Sequence, residues 1–249
     1  MLLVGSVYRD DKRNKHWYNL QIEYLKKTTQ NYSHAIYLNG SDNIYNDSIV
    51  VKKDTSKAKQ NEYHHRGLNA IIHYFNENTQ YKNLLLLDND CFPIKENWQT
   101  ELQTHMKNYD VAAVSRYENL DNFAHPSAFF VKRSNTSTNL SFAILPQINL
   151  LEQRISDTSC HVKSFFPLIR SNKTNLHPIL CGIYWNTFYH HGAGSRKPEF
   201  RIFTSYYKDR KDIIEYENYL FNELVKNPKK FIETLCTSKK NTIDTKFFM

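Results

Sequence analysis

The chain has 249 residues, 40% of them hydrophobic and 23% charged, a balance that suits one α/β domain with a sizeable core and excludes a low-complexity or disordered polymer. Lysine and arginine total 33 against 25 aspartates and glutamates, a net charge of +8; this admits an anionic small substrate, nucleic acid or an anionic membrane surface and selects none of them. No segment approaches the roughly 20 apolar residues that a membrane-spanning helix needs, and Cys91, Cys160, Cys181 and Cys236 contain no Cys-x-x-Cys pair that would mark a zinc ribbon or redox motif.

Met1-Leu2-Leu3-Val4 is too short for a signal-peptide core and soon meets Arg9-Asp10, so the expectation is a cytoplasmic protein with reduced thiols. Leu2 to Val7 reads as a first strand. Trp17, Leu20, Ile22 and Leu25 give a helix over Lys15 to Thr28, and a strand follows at Ala35 to Leu38. Ile49 to Val51 is a short β-rich run, and Leu68, Ile71, Ile72 and Phe75 recur at helical spacing within a helix from about Lys57 to Asn76. Leu84 to Leu87 then forms an apolar strand, with a helix over Glu96 to Lys107 and a strand at Val111 to Val114 after it. This alternation predicts a mostly parallel sheet with helices on its faces.

Beyond Arg116 the pattern loosens. Strands are predicted at Ala128 to Val131, Val162 to Ile169, Ile179 to Trp185 and Thr187 to His190, with a helix over Ile148 to Ile155 and a last helix over Lys211 to Glu233. The late lysines 226, 229, 230, 239 and 240 are interleaved with Phe221, Phe231, Phe247 and Phe248. A solvated helical face accounts for them, and peripheral membrane docking is the competing reading.

The candidate site begins where the leucine strand ends, at Asp88-Asn89-Asp90-Cys91-Phe92-Pro93. Side chains alternate along a strand, so Asp88 and Asp90 are expected to point the same way and to share one cation, with Pro93 stopping the strand. Mg²⁺ and Mn²⁺ take oxygen ligands and complete their shells with substrate phosphates. An ordinary polar turn is the plain alternative. In a parallel sheet the carboxyl ends of the strands form the ligand-binding edge, where this pair would sit.

The block resembles the Asp-x-Asp motif of GT-A-fold, nucleotide-sugar-dependent glycosyltransferases. Haloacid-dehalogenase-like phosphatases also carry an aspartate pair after a strand, but normally on the first strand. Late in the chain, His190-His191-Gly192-Ala193-Gly194-Ser195-Arg196-Lys197-Pro198 is similar to the His-x-x-Gly-x-x-Lys-Pro motif of several retaining members of that class, with Glu199 in place of the aromatic residue that often follows. The resemblance implies a metal held by Asp88, Asp90 and His191, a diphosphate contact from Lys197, and His190 facing the other way; a one-residue register difference exchanges the two histidines. It further implies donor contacts from Tyr8, Arg9 and Asp10 after the first strand, from Asp88, and from His64, Arg66 and Asn69 on the preceding helix.

The implied fold is a single GT-A-like α/β domain over residues 1–249: a Rossmann-type, mostly parallel sheet flanked by helices, with a donor half at 1–116 and a smaller mixed β acceptor half at 117–249. The implied activity is glycosyl transfer from a nucleotide sugar to a glycan or glycoconjugate hydroxyl, using Mn²⁺ or Mg²⁺ and no nucleic acid. An inverting enzyme needs a carboxylate base, for which Glu152 and Asp157 qualify by location only; Trp185 and His125-Pro126-Ser127 fall in the same half. The alternatives are a sugar-nucleotide nucleotidyltransferase, for which the Gly-rich basic loop after the first strand is missing, and a non-catalytic basic module for nucleic acid or anionic membrane.

Overall fold

The computed structural model describes residues 1–9, 12–40, 45–55, 60–115, 123–148, 154–171, 182–192 and 211–237. The first five elements alternate as expected: β1 (Leu2–Arg9), α1 (Lys12–Thr28), β2 (Tyr32–Asn39), β3 (Ile49–Asp54) and α2 (Gln60–Glu77). The leucine strand β4 (Asn83–Leu87) is followed by β5 (Cys91–Pro93), α3 (Trp98–His105), β6 (Val111–Val114), β7 (His125–Lys132) and α4 (Asn135–Thr138). Strands β8 (Phe142–Ile148), β9 (Arg154–Cys160), β10 (Phe166–Leu168), β11 (Gly182–Tyr184) and β12 (Phe188–His190) precede α5 (Lys211–Lys226) and α6 (Pro228–Thr237).

The central sheet has seven strands in the order β10-β6-β7-β4-β1-β2-β3, and β7 runs antiparallel to both of its neighbours, β4 and β6. The architecture is therefore the expected mostly parallel α/β sheet with helices on its faces and smaller antiparallel sheets beside it. The later part of the chain returns β7 and β10 to the same sheet as β1 to β4.

Strand β4 lies at the middle of this sheet, and Leu84, Leu85, Leu86 and Leu87 are fully buried because both faces are covered. Leu84 and Leu86 pack with Leu68, Ile71 and Phe75 of α2, whereas Leu85 and Leu87 pack with Trp98 and Leu102 of α3. Two glycines let α2 approach β1: a Cβ on Gly5 would lie 2.5 Å from Ile71 Cγ2, and one on Gly67 would lie 2.7 Å from Val7 Cγ2. Larger residues at these positions would push apart the strand and helix that flank the site.

Three expectations are corrected. Of the helix predicted over Ile148 to Ile155, residues 149–153 lie outside the described residues, while Ile148 ends β8 and Arg154 and Ile155 begin β9, which pair antiparallel with Phe142 opposite Cys160 and Ile148 opposite Arg154. Ile148, Leu151 and Ile155 are spaced like one helical face, but the first ends one strand and the last lies in the next. The single C-terminal helix is two, because Pro228 cannot continue α5 and instead starts α6, with Asn227 Oδ1 accepting from the Lys230 amide at 3.1 Å. The strand predicted over Val162 to Ile169 shortens to Phe166–Leu168.

Phe221 and Phe231 join Trp17, Phe92, Tyr189 and Leu224 in a core between α1, α5, α6 and the small sheet β11-β12-β5. Phe221 is buried and Phe231 partly buried in this core; Phe247 and Phe248 lie outside the described residues. No described helix is long and apolar enough to cross a membrane.

Candidate metal centre

Asp88, Asn89, Asp90 and Cys91 form a tight turn in which the Cys91 amide donates to the Asp88 carbonyl at 2.9 Å. The carboxylates converge because of this turn, a geometry different from the strand alternation expected, and the chain continues into β5 before Pro93 ends it. The polar turn and the paired-carboxylate site are thus the same object. The turn is tied to three other parts of the chain. The Asp88 amide donates to Ser127 O of β7 at 3.2 Å, the Asp90 carbonyl accepts from the His191 amide at 3.1 Å, and the Asn89 side chain donates to Asn14 Oδ1 of α1.

Strand β12 pairs antiparallel with β5, with His190 opposite Cys91 and Tyr189 opposite Phe92. This register carries the His190 ring to the carboxylates: its Nε2 lies 3.4 Å from Asp88 Oδ2 and 3.4 Å from Asp90 Oδ1. The side chains of His190, Asp88 and Asp90 are 3%, 16% and 4% exposed. One ligand atom from each lies within 4.8 Å of the others, so the three could hold a metal ion. Two donors at right angles around an ion with bonds of about 2.1 Å sit about 3 Å apart, close to the separations seen.

The electrostatics fit the same picture. Burial opposes charge on His190, but Asp90 and Asp88 outweigh it and push the imidazole up to about 10. Burial likewise opposes ionisation of Asp88, yet hydrogen bonds from His190 and His64 hold that carboxyl well below its ordinary value. Asp90 is also lowered: burial opposes its ionisation, and the charge of His190 overcomes it. Without a metal, a proton on His190 supplies the positive charge that two buried carboxylates require. A cation bound there would replace that proton.

The adjacent histidine lies elsewhere. His191 turns to the opposite side of the strand, its ring 4.9 Å from that of Trp17 and 6.2 Å from that of Phe221, with Nδ1 2.9 Å from the Tyr189 hydroxyl. Alternation of side chains across a strand forces this separation, and the Cys91 to His190 register decides which histidine faces which way. The histidine that stands against the two carboxylates is thus His190, the neighbour of the His191 that the motif implied.

The other sequence candidates are scattered. His64, near the start of α2, has Nε2 3.1 Å from Asp88 Oδ1 and belongs to the site. Arg9 is exposed at the end of β1. Tyr8 is fully buried, its ring against Tyr18 and Tyr45 and its hydroxyl donating to Gln21 Oε1 at 2.7 Å, so it offers no open face for stacking. Asn69 is engaged at both ends of its amide by the Phe142 backbone, at 3.0 and 2.8 Å, and latches α2 to β8. Arg66 pairs with Glu62 on the exposed side of α2.

Trp185 lies in the turn between β11 and β12, at the opposite end of β12 from His190, and packs against His105 and Phe166. His125 Nδ1 and Ser127 Oγ stand 2.5 Å apart at the start of β7, both buried, beside the Asp88 amide contact. Asp10, Glu152, Arg196 and Lys197 fall outside the described residues, as does the side chain of Asp157.

Gln21 and Asn14 are site-supporting residues that the sequence reading missed. Their signal was present: Asn14, Trp17, Gln21, Leu25 and Thr28 follow helical spacing and are all buried, so two amides interrupt the apolar stripe of α1. A buried amide must find hydrogen-bond partners, and these find the turn that carries Asp88 and Asp90.

No family model matches the chain, and no curated protein matches it in sequence. Among solved structures it is similar to a glycosyltransferase involved in the glycosylation of the major capsid of PBCV-1, at 12% identity over 53% of this chain and 59% of that chain, with a TM-score of 0.32. It is also similar to A197 from STIV, at 12% identity over 66% of this chain and 97% of that chain, with a TM-score of 0.30. The chain thus spans 59% of the length of the first. Likenesses of this degree carry no argument about activity, which rests on the site.

Proposed function

We propose that the protein is a metal-dependent glycosyltransferase that uses a nucleotide-sugar donor and binds its cation through Asp88, Asp90 and His190. The observation that carries the reading is the convergence of these three side chains beyond the carboxyl end of a central parallel strand, with one ligand atom from each lying within 4.8 Å of the others. The Asp-x-Asp resemblance supplies the reaction class. Mn²⁺ or Mg²⁺ suits two carboxylate oxygens and one imidazole nitrogen.

A bound cation would supply positive charge to a diphosphate leaving group. The chain's own residues do the rest. Asp88 remains ionised because His190 and His64 face it, and Asp90 because His190 does. Arg9, exposed at the end of β1, lies on the same carboxyl edge and is assigned to the donor's nucleotide. His64 is assigned to the donor side of Asp88. The roles of Asp10 and Lys197 rest on sequence alone, and the acceptor is assigned as a glycan or glycoconjugate on the same basis.

The test is a donor screen: individual nucleotide sugars with Mn²⁺ or with chelator, read as nucleotide release and thermal stabilisation. The proposal expects metal-dependent release from at least one donor. No metal-dependent response to any donor overturns it.

A further inference from the structure

We propose that Gln21 is the positioning residue of the metal centre, acting through the backbone of the turn that carries both carboxylates. This rests on the metal-binding part of the reading above and is independent of the transfer reaction.

Gln21 is fully buried on α1. Its Nε2 donates to Asp88 O at 3.0 Å and to Cys91 O at 2.7 Å, the first and last residues of the turn. Its Oε1 accepts from Ser6 Oγ at 2.8 Å and from Tyr8 OH at 2.7 Å, two residues on one face of β1. Both donors and both lone pairs of the carboxamide are therefore used. The amide orientation follows from chemistry, because backbone carbonyls only accept and the nitrogen must face them.

The consequence is mechanical. The turn's own hydrogen bond, Cys91 N to Asp88 O, closes the turn, and the contacts to Ser127 O and His191 N hold it from the sides of β7 and β12, but none of these reaches β1. Gln21 holds the carbonyls at both ends of the turn and anchors them to β1. Asn14 lies seven residues earlier on the same helix face; it accepts from the Asn89 side chain and donates to Arg9 O at 2.8 Å. One face of α1 thus fixes Asp88, Asn89 and Cys91.

A carboxamide is needed for this task. Glutamate has nearly the same volume and could still accept from Ser6 and Tyr8, but its second oxygen would face two carbonyl oxygens beside the carboxylates. Alanine would take one donor from each of two carbonyls and the shared acceptor from two hydroxyls.

The experiment is Mn²⁺ titration of the full chain by calorimetry and Mn²⁺ paramagnetic resonance, on wild type, Gln21→Ala, Gln21→Glu and the remote control Arg133→Ala, with thermal melting of each. The expected result is a Kd raised about 10- to 100-fold in both Gln21 variants, as for other groups that orient metal ligands, with an altered resonance spectrum at saturation. Arg133→Ala should melt earlier yet keep the wild-type Kd and spectrum. Folded Gln21 variants with wild-type Kd and spectrum overturn the proposal, even if their melting temperatures fall. Should Gln21→Ala not fold, Gln21→Glu decides on the same criteria. If both fail to fold, Tyr8→Phe, which releases one hydroxyl from Oε1, decides by the spectrum at saturation. Absence of Mn²⁺ binding by the wild type overturns this proposal together with the metal reading; binding without a Gln21 effect overturns this one alone.

Discussion

His190 stands opposite Cys91 in the antiparallel pairing of β12 with β5, and that single register decides which of two adjacent histidines meets the carboxylates. Shifting the pairing by one residue would bring His191 to Asp88 and Asp90 and turn His190 toward Trp17. The small sheet therefore has a chemical role: it delivers an imidazole from late in the chain to a turn formed a hundred residues earlier.

The proton on His190 makes the metal-free protein sensitive to alkali. Its imidazole rises from 6.5 to about 10 on folding, so its stabilising contribution is complete below about pH 6.5 and is lost as pH rises through about 10. Melting temperature of the metal-free protein should fall between pH 7 and 10. Metal binding at pH 7.5 should release about one proton, visible as a buffer-dependent calorimetric enthalpy. A flat alkaline stability profile and no proton release would show that His190 is neutral in the free site.

On the acid side, His34 behaves oppositely. Burial lowers its imidazole to about 3, so it stays neutral in the folded chain while it protonates in the unfolded one near 6.5. Stability should fall as pH drops below about 6.5, and His34→Gln should flatten part of that slope. An unchanged slope in a folded variant would exclude His34 as a source.

Gly67→Ala should destabilise the protein by about 1–3 kcal/mol, because the new Cβ would meet Val7 Cγ2 at 2.7 Å and Tyr37 Cδ1 at 2.9 Å. Denaturant unfolding measures this directly. A variant as stable as wild type would mean that α2 shifts without cost.

Arg133 reaches the end of α2, where its guanidinium donates to Tyr81 O at 2.7 Å, Asn78 O at 2.9 Å, Asn76 O at 3.3 Å and Phe75 O. Arg133→Ala should cost about 2–4 kcal/mol, since carbonyls at the helix end lose charged donors. Chemical denaturation tests it, with a loss below about 0.5 kcal/mol counting against the role.

Much of the frame was legible because hydrophobic period reports burial. Leu84 to Leu87 declared a strand covered on both faces, and Leu68, Ile71, Ile72 and Phe75 declared the buried side of α2. The Asp88 and Asp90 pair was legible for the same reason, as charge placed where an apolar run stops. What the sequence hid depends on contacts distant along the chain. The Cys91 to His190 register, the Gln21 clamp and the burial of Tyr8 under Tyr18 and Tyr45 all join residues whose spacing carries no local period. Ile148 and Ile155 misled because their helical spacing is chance: the first ends β8 and the second lies in β9.

The assignment of His190 beside Asp88 and Asp90 is measured by the Mn²⁺ affinity of His190→Ala beside His191→Ala, with circular dichroism to establish that each is folded. His190→Ala is expected to weaken Mn²⁺ binding by at least about 100-fold, through loss of a buried ligand, while His191→Ala stays within about three-fold of wild type. Strong loss in His191→Ala with near-normal binding in His190→Ala would contradict it.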